Sequence, residues 1–191
     1  MNELNPNFPY IIVTEYGQKI LSSGEILPYD PDGYLANLNN EISNLDPMIV
    51  MYVTESLQSF LRGLMFSSAV MLGVASERAM ILLLETLTDA VIDPTKKKQL
   101  LRLQESYRIK KKFDRVKSEL MAIKNKLPRK TYVLESNLDG VFNLIRMTRN
   151  DAGHPSGKII ERDYAFVNLR LFPHYCRTVY ELVDFLKINK I

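Results

Sequence analysis

Ser68-Ala69-Val70-Met71-Leu72-Gly73-Val74-Ala75-Ser76-Glu77-Arg78-Ala79 lies inside a longer run, residues 66–91, that is apolar nearly all round. A surface helix carries one apolar stripe, whereas a helix apolar on every side has to be surrounded by other elements. The run is therefore expected to be the central helix of a bundle. Ala69, Gly73, Ala75, Ser76 and Ala79 are small enough to let neighbouring helices approach closely. The stretch from Leu64 to Leu84 also has the length of a membrane span. Glu77 and Arg78 interrupt it, and Ser67, Ser68 and Ser76 add polar atoms, so a buried core helix is expected, with no membrane contact.

Upstream, Asp46-Pro47 reads as a helix start, an N-cap followed by proline at the first helical position. From Pro47 to about Arg62, residues such as Ile49, Val53, Leu57, Phe60 and Leu61 recur at helical spacing, and Gly63 ends the run. Further upstream, a short helix is expected from about Tyr34 to Ile42, after a linker containing Pro28, Asp30, Pro31 and Gly33. Residues 1–33 read as an extension, in which Pro9 to Val13 suits a small strand or one arm of a hairpin.

Downstream, Asp93-Pro94-Thr95 repeats the capping pattern. The sequence is then helical in propensity to about Leu127, as one long helix or as two joined near Ser106, with Leu101, Tyr107 and Phe113 among its apolar contacts. Pro128 ends it. Another helix is expected from about Ser136 to Ala152, with Phe142, Ile145 and Met147 facing the core. The last segment, from about Glu161 to Ile188, contains Pro173, which should kink or split it. The fold class is all-α: a bundle of five to six helices over residues 34–191, behind the N-terminal extension.

The 191 residues suffice for one domain with a full core. With 46% hydrophobic and 25% charged residues the composition is that of an ordinary globular chain. Cys176 is the single cysteine, which rules out an internal disulfide and any multi-cysteine metal site and fits a reducing, cytoplasmic setting. The first residues, Met-Asn-Glu-Leu-Asn-Pro, have neither a basic leader nor an apolar core, so no signal peptide is expected. Asp30, Asp32, Asp139 and Asp151 have no metal-ligand spacing, and there is no phosphate-binding glycine loop. No cofactor or metal is expected.

The formal charge of +3 conceals a division, because residues 96–130 hold 14 Lys and Arg against Glu105, Asp114 and Glu119. A solvated lysine-rich helix face rarely reaches such an imbalance, so an anionic partner is favoured. RNA and an acidic protein both qualify. The cluster Lys110, Lys111, Lys112 and Arg115 is the candidate RNA-binding surface.

Arg149-Asn150-Asp151-Ala152-Gly153-His154-Pro155 follows the late apolar helix. Gly153 is expected to close that helix in a left-handed conformation, and Pro155 cannot continue it. The order arginine, polar residue, three further residues, histidine resembles the signature of the HEPN superfamily, which includes RNA-cleaving toxins and abortive-infection proteins. The run from Ser68 to Ala79 is also similar to small-residue helices with an embedded Glu in HEPN families associated with phage defence. The resemblance implies an antiparallel bundle with the motif at the end of a late core helix. It implies a metal-independent endoribonuclease, and a homodimer that places two motifs in one cleft. It also implies a role as a toxin or antiviral defence effector, with an antitoxin or defence-system partner.

The chemistry agrees with the residue types. RNA cleaves itself when its 2′-hydroxyl attacks the adjacent phosphate, leaving a 2′,3′-cyclic phosphate and a 5′-hydroxyl. His154 suits proton transfer, since an imidazole titrates near neutrality. Arg149 offers two parallel hydrogen bonds to phosphate oxygens. Asn150 can position the arginine, the histidine or the ribose. Glu77 either faces this cleft and orients one of those side chains, or belongs with Arg78 to a structural pairing. The rival reading of the whole chain is a catalytically silent HEPN-fold module for protein interaction or nucleic-acid binding.

Overall fold

The computed structural model describes residues 27–128, 138–154 and 157–191. Among these the chain forms seven α-helices and no strand: α1 (Pro31–Glu41), α2 (Pro47–Leu61), α3 (Met65–Ala90), α4 (Pro94–Gln104), α5 (Ile109–Ala122), α6 (Gly140–Gly153) and α7 (Arg162–Ile188). The all-α class is therefore seen directly. The strand expected at residues 9–13 lies outside the described residues, as do Ser136 and Pro155.

The helix starts share one device. Asp30, Asp46 and Asp93 each precede a proline and accept backbone N–H groups of the first turn, from Gly33, from Met48 and Ile49, and from Thr95 and Lys96. Each aspartate satisfies donors with no partner within the helix, and the proline loses nothing there because its position needs no N–H. Pro31 and Gly33 are thus the first turn of α1, not the linker expected from the sequence.

α3 is the centre. From residue 68 to residue 88 no position is fully exposed, and α2, α4, α5, α6 and α7 all pack on it. By length and composition it is the one described helix that could cross a membrane, but its buried side chains meet other helices. α2 folds back on α3 through Gly63, whose φ of 77° is left-handed backbone that glycine adopts freely. Two contacts establish an antiparallel hairpin, since their members lie equally far from Arg62. The Ser56 hydroxyl donates to the Ser68 carbonyl at 2.8 Å, and Arg78 donates through Nε and Nη2 to Asp46 Oδ2 at 3.1 and 2.7 Å.

Asp46 therefore caps α2 and anchors Arg78. Burial alone would raise its pKa, but the Arg78 bond and the Met48 N–H outweigh burial and hold it below the usual carboxylate value. A depressed carboxylate contributes stability above its unfolded pKa and loses it as pH falls through the folded value. Asp46→Ala should cost about 1–3 kcal/mol at neutral pH. In urea unfolding, the gap from the native chain should close as the medium is acidified below the carboxylate range.

The basic region divides into α4 and α5 at residues 105–108, where the Ser106 hydroxyl accepts the Arg108 N–H at 3.2 Å. Tyr107 sits in that bend fully exposed, and Leu101 is also exposed, so neither joins the core as expected. Phe113 of α5 stacks on Phe142 of α6, ring centres 4.3 Å apart, and Phe142 meets Tyr175 of α7. Met147 of α6 points outward instead of into the core.

α7 is one helix of 27 residues with Pro173 inside it, so the expected split does not occur. Proline cannot donate to the carbonyl four residues back, which here is Leu169. Tyr34 of α1, fully buried, fills that vacancy: its hydroxyl donates to the Leu169 carbonyl at 2.7 Å. Tyr34→Phe should then cost about 1–3 kcal/mol, the penalty for stranding a buried acceptor. In the P173A background the helix supplies its own N–H to Leu169, and the same change should cost little. A denaturation double-mutant cycle checks this, and equal costs in both backgrounds would remove the link.

Candidate active site

The C-terminal turn of α6 crosses α3 at its smallest residue. A Cβ built on Gly73 would lie 2.4 Å from Arg149 Cγ and 2.6 Å from Arg149 Cβ. The arginine stem thus runs directly over the glycine, in space no other residue type leaves open. α6 is held in this register by Asn168 of α7, nearly fully buried, which donates to the Thr148 hydroxyl at 2.9 Å.

From that seat the Arg149 guanidinium reaches two partners. Nη1 donates to Asn150 Oδ1 at 3.2 Å, and Nε lies 3.7 Å from Glu77 Oε1, one turn along α3 from Gly73. The Glu77 side chain is 19% exposed and that of Arg149 37%, so the acid is inside and the cation at the rim. Burial raises the Glu77 pKa above the ordinary value, and Arg149, Arg146 and Lys112 pull it back only in part. Arg78, its neighbour in sequence, faces Asp46 on another side of α3. Glu77 is therefore separate from the Arg78 pairing and adjoins Arg149.

His154 is the C-cap of α6, with its N–H donating to the Asn150 carbonyl at 3.1 Å and its backbone extended at φ −111°. It is exposed, and its imidazole has no hydrogen bond or ion pair among the described residues. The cap is not the left-handed glycine expected: Gly153 is the last helical residue, and positive φ appears at Gly157 instead. Lys158 then folds back to Asp151, with Nζ at 3.0 and 3.1 Å from its two oxygens. An open depression of about 450 Å³ lies beside the histidine, lined by Phe66, His154, Lys158 and Ile159 among others.

Of the four basic residues singled out from the sequence, Lys111 is exposed, Lys110 pairs with Asp114 at 2.7 Å, and Arg115 pairs with Glu119 at 2.8 Å. Lys112 is buried, its ammonium donating to the Gln104 carbonyl at 2.9 Å, and so closes the α4–α5 bend instead of presenting charge outward. His174 is exposed on α7, and Cys176 is buried in the core, where burial pushes its thiol pKa far up. Gly73 was expected to admit a neighbouring helix, though not Arg149 in particular, and sequence reasoning missed Gly73's partner and Arg146. The latter had a signal, lying three residues before Arg149 and hence on the same side of α6.

No protein-family model matches the chain, and neither the curated proteins nor the solved structures yield a match.

Proposed function

We propose that this chain is a metal-independent endoribonuclease of HEPN type that acts as a toxin or phage-defence effector. The observation that carries the reading is the seating of Arg149 on Gly73, braced by Glu77 and Asn150, at the helix end where His154 stands exposed. A braced guanidinium meets the need for a fixed cation at the crowded phosphorane, where positioning before the reaction is worth most. Asn150 and Glu77 hold that cation in place until a phosphate engages it. An exposed imidazole with no partner among the described residues can exchange protons with a bound nucleotide.

Each motif carries one histidine, whereas the reaction needs a base for the 2′-hydroxyl and an acid for the leaving 5′-oxygen. The proposal therefore includes a two-fold dimer that faces two Arg149–His154 motifs across one groove. The exposed cations of α4 and α5, Lys111 among them, would attract the polyanion. An antitoxin or defence-system protein would be the neutralising or activating partner.

The test is incubation of structured RNA and transfer RNA with the chain in EDTA, with analysis of the product ends. Fragments with 2′,3′-cyclic phosphate and 5′-hydroxyl ends are expected. Activity that disappears in EDTA, or ends of the opposite polarity, would overturn this mechanism. No cleavage, with a protein partner that co-purifies whether or not His154 is intact, would favour the silent interaction module.

A further inference from the structure

Glu77 is a carboxylate only 19% exposed and with no hydrogen bond among the described residues. Its contact with Arg149 Nε, at 3.7 Å, is an ion pair but too long for a hydrogen bond. Arg146 and Lys112 also act on its charge, but the Lys112 ammonium is taken by the Gln104 carbonyl. Arg146 lies one turn before Arg149 on the same side of α6. Its Nε is shut off from solvent and bonds to nothing among the described residues. An unmade guanidinium donor thus lies one helical turn from the partner of an under-bonded carboxylate on which its charge acts, and a shift of partner would satisfy both.

Such a shift has a use. Nε and one Nη form an edge with which a guanidinium grips a phosphate, and in Arg149 that Nε is the atom nearest Glu77. If Arg149 turned to a phosphate with nothing else changed, a carboxylate mostly withdrawn from water would lose its ion pair, which is unfavourable. We infer that Arg146 is a positioning residue and the alternate partner of Glu77, taking the carboxylate when Arg149 engages a phosphate group. Only the identity of that anion rests on the proposed function. The exchange itself concerns one carboxylate and two arginines.

The full chain, labelled with ¹³C at glutamate carboxylates, allows Glu77 to be titrated by NMR in the native protein, R146Q, R149Q and the double variant. Arg146, Arg149, Lys112 and Tyr175 are the titratable or charged groups acting on it. Either arginine alone should hold the carboxylate, so each single change should move its midpoint little. Loss of both should raise the midpoint by roughly one to three pH units. A double variant equal to the sum of the singles would overturn the exchange.

The second arm uses a 2′-deoxy oligonucleotide of mixed sequence, which offers phosphodiesters but no attacking hydroxyl. R146Q should weaken its binding roughly tenfold, and in the E77Q background that effect should vanish. Equal weakening in both backgrounds would make Arg146 a direct phosphate contact and overturn the positioning role. An oligonucleotide that the native chain does not bind would count against the nuclease, while the Glu77 titration would still decide the exchange.

Discussion

His154→Ala is expected to lower RNA cleavage by about 10²- to 10⁴-fold, the range a positioned general acid or base contributes. The fold should barely notice. The side chain is exposed and unbonded among the described residues, and the helix-capping contact is made by the backbone N–H, which alanine keeps. Unfolding in urea should shift by less than about 0.5 kcal/mol, as for a surface change away from structural features. Arg149→Ala should lower cleavage comparably, by about 10²- to 10³-fold. It should also destabilise the chain, since it removes the stem packed on Gly73 and the partner of Glu77. Residues that act as one unit lose activity once, so the double variant should be scarcely slower than the worse single. Steady-state cleavage beside denaturation curves checks all three, and full activity in His154→Ala would exclude the mechanism.

Gly73→Ala is the second large effect, and its sign runs against helix propensity. Alanine is favoured over glycine within a helix by about 1 kcal/mol. The new methyl, however, would meet Arg149 Cβ at 2.6 Å, and a Cβ cannot swing aside as a side-chain tip can. α6 and α3 would have to part by roughly 1 Å to restore ordinary carbon–carbon contact. A displacement of that size can cost about 10²-fold in rate. Overpacking would offset the propensity gain by about 1–3 kcal/mol, leaving stability near or modestly below native. A folded, helical variant by circular dichroism with cleavage down on the order of 10²-fold is the expected result. Unchanged cleavage would show that the seat of Arg149 has no bearing on its chemistry.

Much of the helical frame was legible because its signals are local. The apolar run at residues 66–91 has no polar face to offer water, and Met65–Ala90 is indeed the helix that others surround. Asp46-Pro47 and Asp93-Pro94 marked their helix starts to the residue. Asp30-Pro31 carries the same mark, yet the sequence reading places it with Gly33 in a linker that caps a helix from about Tyr34, three residues later than the observed start. Gly33 is tolerated there because its N–H is the one that Asp30 accepts. Pro173 misled in the other direction. Its effect on α7 depends on the Tyr34 hydroxyl, which arrives from a helix more than a hundred residues earlier.

The candidate site divides along the same line. Arg149, Asn150 and His154 were readable as a set, because their spacing along one helix end is a property of contiguous sequence. Glu77 was identifiable as a charge within an apolar helix, but not the direction it faces. Lys112 looked like its exposed neighbours Lys110 and Lys111, yet helical rotation turns it inward to the Gln104 carbonyl. Periodicity shows that a helix has a buried side, and residue types show what chemistry is to hand. The register at which two helices meet is set by side-chain volumes on both, summed over contacts remote in sequence. That register alone lays Arg149 over Gly73 and brings its guanidinium to Glu77.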